Sequence, residues 1–143
     1  ISNEELVMKF TYEDNLVSDL HKDARGIRPT RGFMLMWNDL TPAQRQETWD
    51  NLIDEMDQRD ADERQVTKDN IKKFEDRIDD VIGLGAGDRE TALRWIASQE
   101  KFYHKQDIEH FVWELGIMST QINWYSDNLI KELEKVVKYE ECV

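Results

Sequence analysis

Residues 41–82 read TPAQRQETWDNLIDEMDQRDADERQVTKDNIKKFEDRIDDVI, and after Pro42 no glycine or proline interrupts the run. The opening specifies a helix start. Thr41 can cap the first free amides, Pro42 suits the first helical position, and Gln44 can complete a capping box. From there Trp49, Leu52, Ile53 and Met56 form one apolar stripe at helical spacing, and Val66, Ile71, Phe74, Ile78, Val81 and Ile82 form a second. Residues 57–65 between them present no apolar face. Glu55 with Arg59, Asp60 with Arg64, and Asp69 with Lys73 are opposite charges four apart with the acid first, which supports a helix across the polar run. The pattern predicts one helix over about 42–82, solvated through its middle and about 60 Å long. A rod of that length is expected to project from a core, bridge two cores or pair with a second copy.

The rest of the chain fits around it. With 143 residues, 35% of them charged and 39% apolar, the sequence suits a single helical domain with a modest core. Within 1–143, an N-terminal helix and basic turn occupy 1–40, the long helix 41–82 and a C-terminal helical cluster 88–143. Ser2 with Glu5 forms a capping box, and Leu6, Phe10, Leu16, Val17 and Leu20 predict a helix over about 3–24, ended by Gly26 and Pro29. A short helix is expected over Arg31 to Asp39. After the glycines at 83, 85 and 87, Asp88 caps a helix to about Glu100, and two more follow near 106–115 and 120–140, separated by Gly116 and capped by Ser119. No stretch alternates as a strand would, so the fold class is all-α, an elongated protein with shorter helices at both ends of the long one. The five tryptophans, Trp37, Trp49, Trp95, Trp113 and Trp124, are expected as core anchors.

Lys22, Arg25, Arg28 and Arg31 place four cations in ten residues of a chain of net charge −12. Lys22 and Arg25 suit a helix C-terminus. Arg28 and Arg31 lie beyond it, and arginine's planar fork binds carboxylate or phosphate bidentately. The segment therefore reads as a partner-binding turn or as an internal counterpart to the acidic helix. The run Ser18-Asp19-Leu20-His21-Lys22-Asp23-Ala24-Arg25-Gly26-Ile27-Arg28-Pro29, and the later Gly85-Ala86-Gly87-Asp88-Arg89-Glu90-Thr91-Ala92-Leu93-Arg94-Trp95, resemble segments of small accessory proteins encoded by tailed bacteriophages. That resemblance implies a viral protein that binds and modulates a host protein, such as a defence or nucleic-acid-processing factor. It implies no catalytic residues.

Other constellations carry weaker chemistry. Residues 108–125 suggest a helix-turn-helix, the basis of an alternative reading as a nucleic-acid-binding regulator. Val112 is bulky for such a turn, and no Lys or Arg lies between Thr120 and Asn128, which makes direct nucleic-acid binding unfavourable. Asp107, His110 and Glu114 fall at i, i+3 and i+7 but form no recognised metal motif and read as a solvated face. His21 and His104 have no sequence partner. Gly83, Gly85 and Gly87 precede no Gly-Lys-Ser/Thr and read as a helix stop. Cys142 has no neighbouring base to activate it. No catalytic residue, metal ligand or cofactor is assigned, and an enzyme would need a site outside these patterns.

Residues 1–40 carry five basic and seven acidic side chains, residues 41–87 seven and thirteen, and residues 88–143 seven and eleven, for net charges of −2, −6 and −4. Duplex DNA has one charge per about 1.7 Å, against roughly one per 10 Å along the long helix, so an acidic DNA mimic is a minor alternative. A negative field more readily steers the chain to a basic surface on a host protein. The expected contact residues are Lys22, Arg25, Arg28 and Arg31 on the turn, and Asp57, Asp60, Asp62 and Glu63 on the helix. A homodimer along that helix is a further expectation. A lone cysteine, no apolar run of membrane-spanning length and no visible signal peptide lead to an expected location in the cytoplasm of an infected bacterium.

Overall fold

The structure, a computed structural model, describes residues 9–141. In chain order the helices are α1 (Val17–Arg25), α2 (Arg31–Asp39), α3 (Pro42–Val81), α4 (Arg89–Ala97), α5 (Lys105–Glu114) and α6 (Trp124–Val136), with a π turn at Ile82–Ala86. No strand occurs among the described residues, so the fold is all-α. The chain divides into two compact units, one ending at Asp62 and one beginning at Glu63, and α3 contributes to each.

Local chemistry explains where α2 and α3 begin. Thr30 Oγ1 accepts the Phe33 amide at 3.1 Å, and at α3 the Gln44 amide donates to Thr41 Oγ1 at 3.2 Å while the Thr41 amide donates to Gln44 Oε1 at 2.9 Å. That reciprocal pair is the expected capping box. The helix then runs unbroken through 57–65, as its uninterrupted sequence predicts.

In the first unit Val17, Leu20 and Ala24 of α1, Trp37 of α2 and Leu52 of α3 form the core. The expected helix over 3–24 is realised only from Val17 onward. Ser2, Glu5 and Leu6 lie outside the described residues, and Phe10 is exposed on non-helical chain. Tertiary contacts hold this stretch out of a helix. Gln46 Oε1 on α3 accepts the amides of Thr11 at 2.7 Å and Tyr12 at 3.2 Å, while Asp14 accepts Trp37 Nε1 at 2.9 Å and an Arg45 nitrogen at 3.3 Å. Thr11 and Tyr12 are weak helix formers and Asp14-Asn15 suits a turn, so helix propensity offers little resistance.

In the second unit Phe74 and Ile78 of α3 pack with Leu93 and Ile96 of α4, Ile108 and Val112 of α5, and Leu129 and Leu133 of α6. The glycine-rich stretch after α3 is a helix stop: Gly85 and Gly87 have φ of 133° and 82°, and Asp88 Oδ1 then caps α4 through the Thr91 amide at 2.7 Å. The C-terminal helices differ from expectation. Residues 115–123 form an irregular connection, α6 begins only at Trp124, and Ser119 Oγ accepts the Gln121 amide inside that connection instead of capping a helix. Gly116, with φ of 72°, supplies the left-handed residue that ends α5.

Candidate interaction surfaces

In the first unit, α1 ends at Gly26, whose amide bonds the Lys22 carbonyl at 2.7 Å. The turn that follows is anchored from beneath by His21, only 5% exposed, whose Nδ1 donates to the Ile27 carbonyl at 2.7 Å and whose ring edge meets Phe33. This gives His21 the partner that sequence spacing did not show. The four cations separate into two classes. Arg25 makes a two-pronged contact with Glu55 of α3 at 2.8 and 3.2 Å, which lowers the Glu55 pKa and raises that of Arg25 through the shared hydrogen bonds. Arg28 binds Asp19 at 2.7 Å and Ser18 at 3.1 Å. Lys22 and Arg31 are exposed and have no hydrogen-bond or ion-pair partner among the described residues. The turn is thus partly an internal brace and partly an open cationic surface, with Ile27 and Leu35 exposed beside it in sequence.

Among the acids, Asp57 and Asp62 in the first unit and Glu63 in the second are exposed, whereas Asp60 is half-buried and engaged. Asp62 accepts the Gln58 amide at 2.8 Å. The intrahelical pairing also differs from the expected scheme. Glu55 faces Arg25, so Arg59 instead lies across Gly26 and points toward the Asp23 carbonyl. Asp69 accepts from Gln65 at 2.9 Å, leaving Lys73 without it.

The tryptophans correct the expectation of a tryptophan-anchored core. Trp37 is 1% exposed, with its indole nitrogen satisfied by Asp14, and Trp49 is half-buried. Trp95, Trp113 and Trp124, all in the second unit, are exposed, the last two at 63% and 64%. The signal for this was in the spacing. Ile108, Phe111, Val112 and Leu115 fall at i, i+3, i+4 and i+7 and take the core face of α5, which turns Trp113 outward. Ala92, Leu93, Ile96 and Ala97 do the same to Trp95 on α4.

Trp113 stacks on His110 with ring centroids 5.6 Å apart, and His110 Nε2 lies 2.8 Å from Glu114 Oε1. Asp107 is occupied elsewhere: its carboxylate accepts the Tyr103 and His104 amides at 2.7 and 3.2 Å, contacts that hold its pKa below the usual aspartate range and close the cap of α5. This also places His104 at a helix cap. Asp107, His110 and Glu114 therefore do not converge, and no cluster of three or more His, Cys, Asp or Glu suited to a metal ion occurs among the described residues. Cys142 lies outside those residues.

One polar cluster had no sequence signature. Arg89 at the start of α4 binds Glu75 of α3 at 2.7 and 3.0 Å and Glu132 of α6 at 2.7 and 3.2 Å, and the Tyr125 hydroxyl donates to Glu75. The Arg89 hydrogen bonds lower the Glu75 pKa, while burial, followed by the Glu75 contact, raises that of Tyr125. One guanidinium thus bridges two carboxylates, and the cluster, of net charge −1, ties three helices together. These residues are far apart in sequence, and only the fold unites them.

No helix among the described residues is long and apolar enough to cross a membrane. The chain matches no family model, no curated protein and no solved structure.

Proposed function

We propose that the chain is a non-enzymatic interaction protein that binds another protein through the exposed tryptophans Trp113 and Trp124 of its second unit. The observation that carries this reading is the exposure of Trp113 and Trp124 in a unit whose core is already filled by aliphatic, phenylalanine and tyrosine side chains. Tryptophan is the residue most enriched at energetic hot spots, where one side chain supplies a large apolar area. The net charge of −12 steers the chain toward a basic partner and speeds encounter. Exposed Glu63 is an acidic contact in the same unit, and the first unit separately offers exposed Asp57 and Asp62 to a basic partner and Lys22 and Arg31 to an acidic one. The resemblance of residues 18–29 and 85–95 to phage accessory proteins favours a bacterial host protein as the partner. The nucleic-acid alternative loses support from the connection at 115–123, which is too long for a helix-turn-helix.

The test is comparative capture from bacterial extract, using the wild-type chain and a Trp113→Ser/Trp124→Ser variant as baits, with mass spectrometry as the readout. A protein enriched by the wild type and reduced by about tenfold or more with the variant is expected, since each lost hot spot is worth about 2 kcal/mol. Identical captured sets from two equally helical baits would sink the proposal.

A further inference from the structure

A recess in the second unit differs in chemistry from the exposed tryptophans. Asn70, Lys73, Phe74 and Arg77 of α3 form one wall, and Glu114, Leu115 and Gly116 the other, around a cavity of about 400 Å³. That volume suits a small ligand or a terminal residue. Lys73 and Arg77 are like charges at i and i+4, an arrangement that opposes helix stability unless something offsets it. Neither has a hydrogen-bond or ion-pair partner among the described residues. The other arginines of this unit are all engaged, Arg64 by Gln121, Arg89 by Glu75 and Glu132, and Arg94 by Glu90. Glu114 across the recess does not fill the role, since its carboxylate is turned to His110 at 2.8 Å.

The remaining polar group is also fixed. Asn70 Nδ2 donates to the Gly116 carbonyl at 3.0 Å, which orients the amide and leaves Oδ1 to accept. Leu115 is half-buried and offers an apolar surface beside it. With the Glu114 carboxylate held by His110, a bidentate cation, a second cation, one acceptor and one apolar wall make a specific set. We propose that the recess binds the carboxylate of an N-acylated apolar amino acid, the group present at a peptide C-terminus. The carboxylate sits between Arg77 and Lys73, the ligand N–H donates to Asn70 Oδ1, and the side chain lies against Leu115. A singly charged carboxylate is favoured over a phosphate dianion, because Glu114 lines the recess and Asp80 lies one turn from Arg77 on α3, and repulsion from them scales with ligand charge.

This inference is independent of the exposed tryptophans, and its test leaves Trp113 and Trp124 unchanged. The ¹⁵N-labelled protein is titrated with N-acetyl-L-leucine and, separately, with its neutral amide. The acid is expected to shift the Arg77 Nε, Asn70 Nδ2 and Gly116 amide resonances, with the neutral amide requiring about tenfold more or producing no shift. Arg77→Gln and Lys73→Gln should each weaken the acid's effect by about tenfold while the rest of the spectrum is retained. Two variants guard against one of them failing to fold. Equal shifts from acid and amide, an acid response surviving in both variants, or no response at Gly116 up to about 10 mM acid would overturn the proposal.

Discussion

Trp37 and Trp113 are the same residue in opposite uses. In the unit ending at Asp62, Trp37 is sealed among α1, α2 and α3, and its polar atom is matched by Asp14. In the unit beginning at Glu63, the core is closed without tryptophan, and three indoles remain outside. The first unit uses its aromatic area to fold. The second has aromatic area to spare, and surplus apolar surface is what binding uses.

The largest way to sharpen this contrast is truncation of the buried member. Trp37→Ala removes a fully packed side chain and its bond to Asp14, so about 4 kcal/mol of stability is expected to be lost in urea denaturation. A loss below about 1 kcal/mol would mean that the first unit does not depend on this anchor.

In the second unit the comparable dependence falls on a charge. Arg89→Ala leaves Glu75 and Glu132 facing each other without their shared cation, and about 2 kcal/mol is expected after allowance for solvent screening. The pH dependence should change with it. Because the folded Glu75 pKa is depressed below its ordinary 4.5, its stabilising contribution is complete above that value and fades as pH falls through the folded pKa. Arg89→Ala should therefore flatten this part of the acid limb, as followed by circular dichroism below about pH 5. An unchanged acid limb would show that the Arg89 contact does not set the Glu75 titration.

Both units also place a left-handed glycine against a side chain of α3, with different consequences. A Cβ at Gly26 would lie 2.9 Å from the end of Arg59, which can swing away, so Gly26→Ala should cost about 1 kcal/mol from backbone strain. A Cβ at Gly116 would lie 2.6 Å from Asn70 Nδ2, the atom that bonds Gly116's own carbonyl. Moving it breaks that bond, and about 2 kcal/mol is expected. Equal costs in urea denaturation would show that Asn70 yields as freely as Arg59.

What could be read from the sequence follows the range of the forces involved. The long helix, its Thr41 box, α2 and the Asp88 cap rest on contacts within four residues, and all were legible. The segment 9–16 departs from the expected helix because Gln46, some thirty-five positions away, holds the Thr11 and Tyr12 amides. The Arg89 cluster joins residues 75, 89, 125 and 132 and was invisible for the same reason. The basic turn was half legible: its charges were evident, but that Glu55 would take Arg25 and leave Arg31 open depends on how α1 meets α3. The exposed tryptophans are a different case. Their outward direction follows from helical periodicity, which at these positions overrides the general tendency of tryptophan to be buried.

The smallest stability effect is expected at a residue proposed to carry binding. Trp113→Ala removes a side chain that is 63% exposed, and its contact with His110 is a surface stack, so the urea midpoint should shift by less than about 0.5 kcal/mol equivalent. Core tryptophan truncations cannot behave this way, because they leave a cavity that the surroundings fill only in part. A loss near that of Trp37→Ala would place Trp113 among the folding anchors and remove the contrast between the units. A near-zero loss joined to diminished capture of a partner would separate the two roles on one side chain, which exposure alone cannot do.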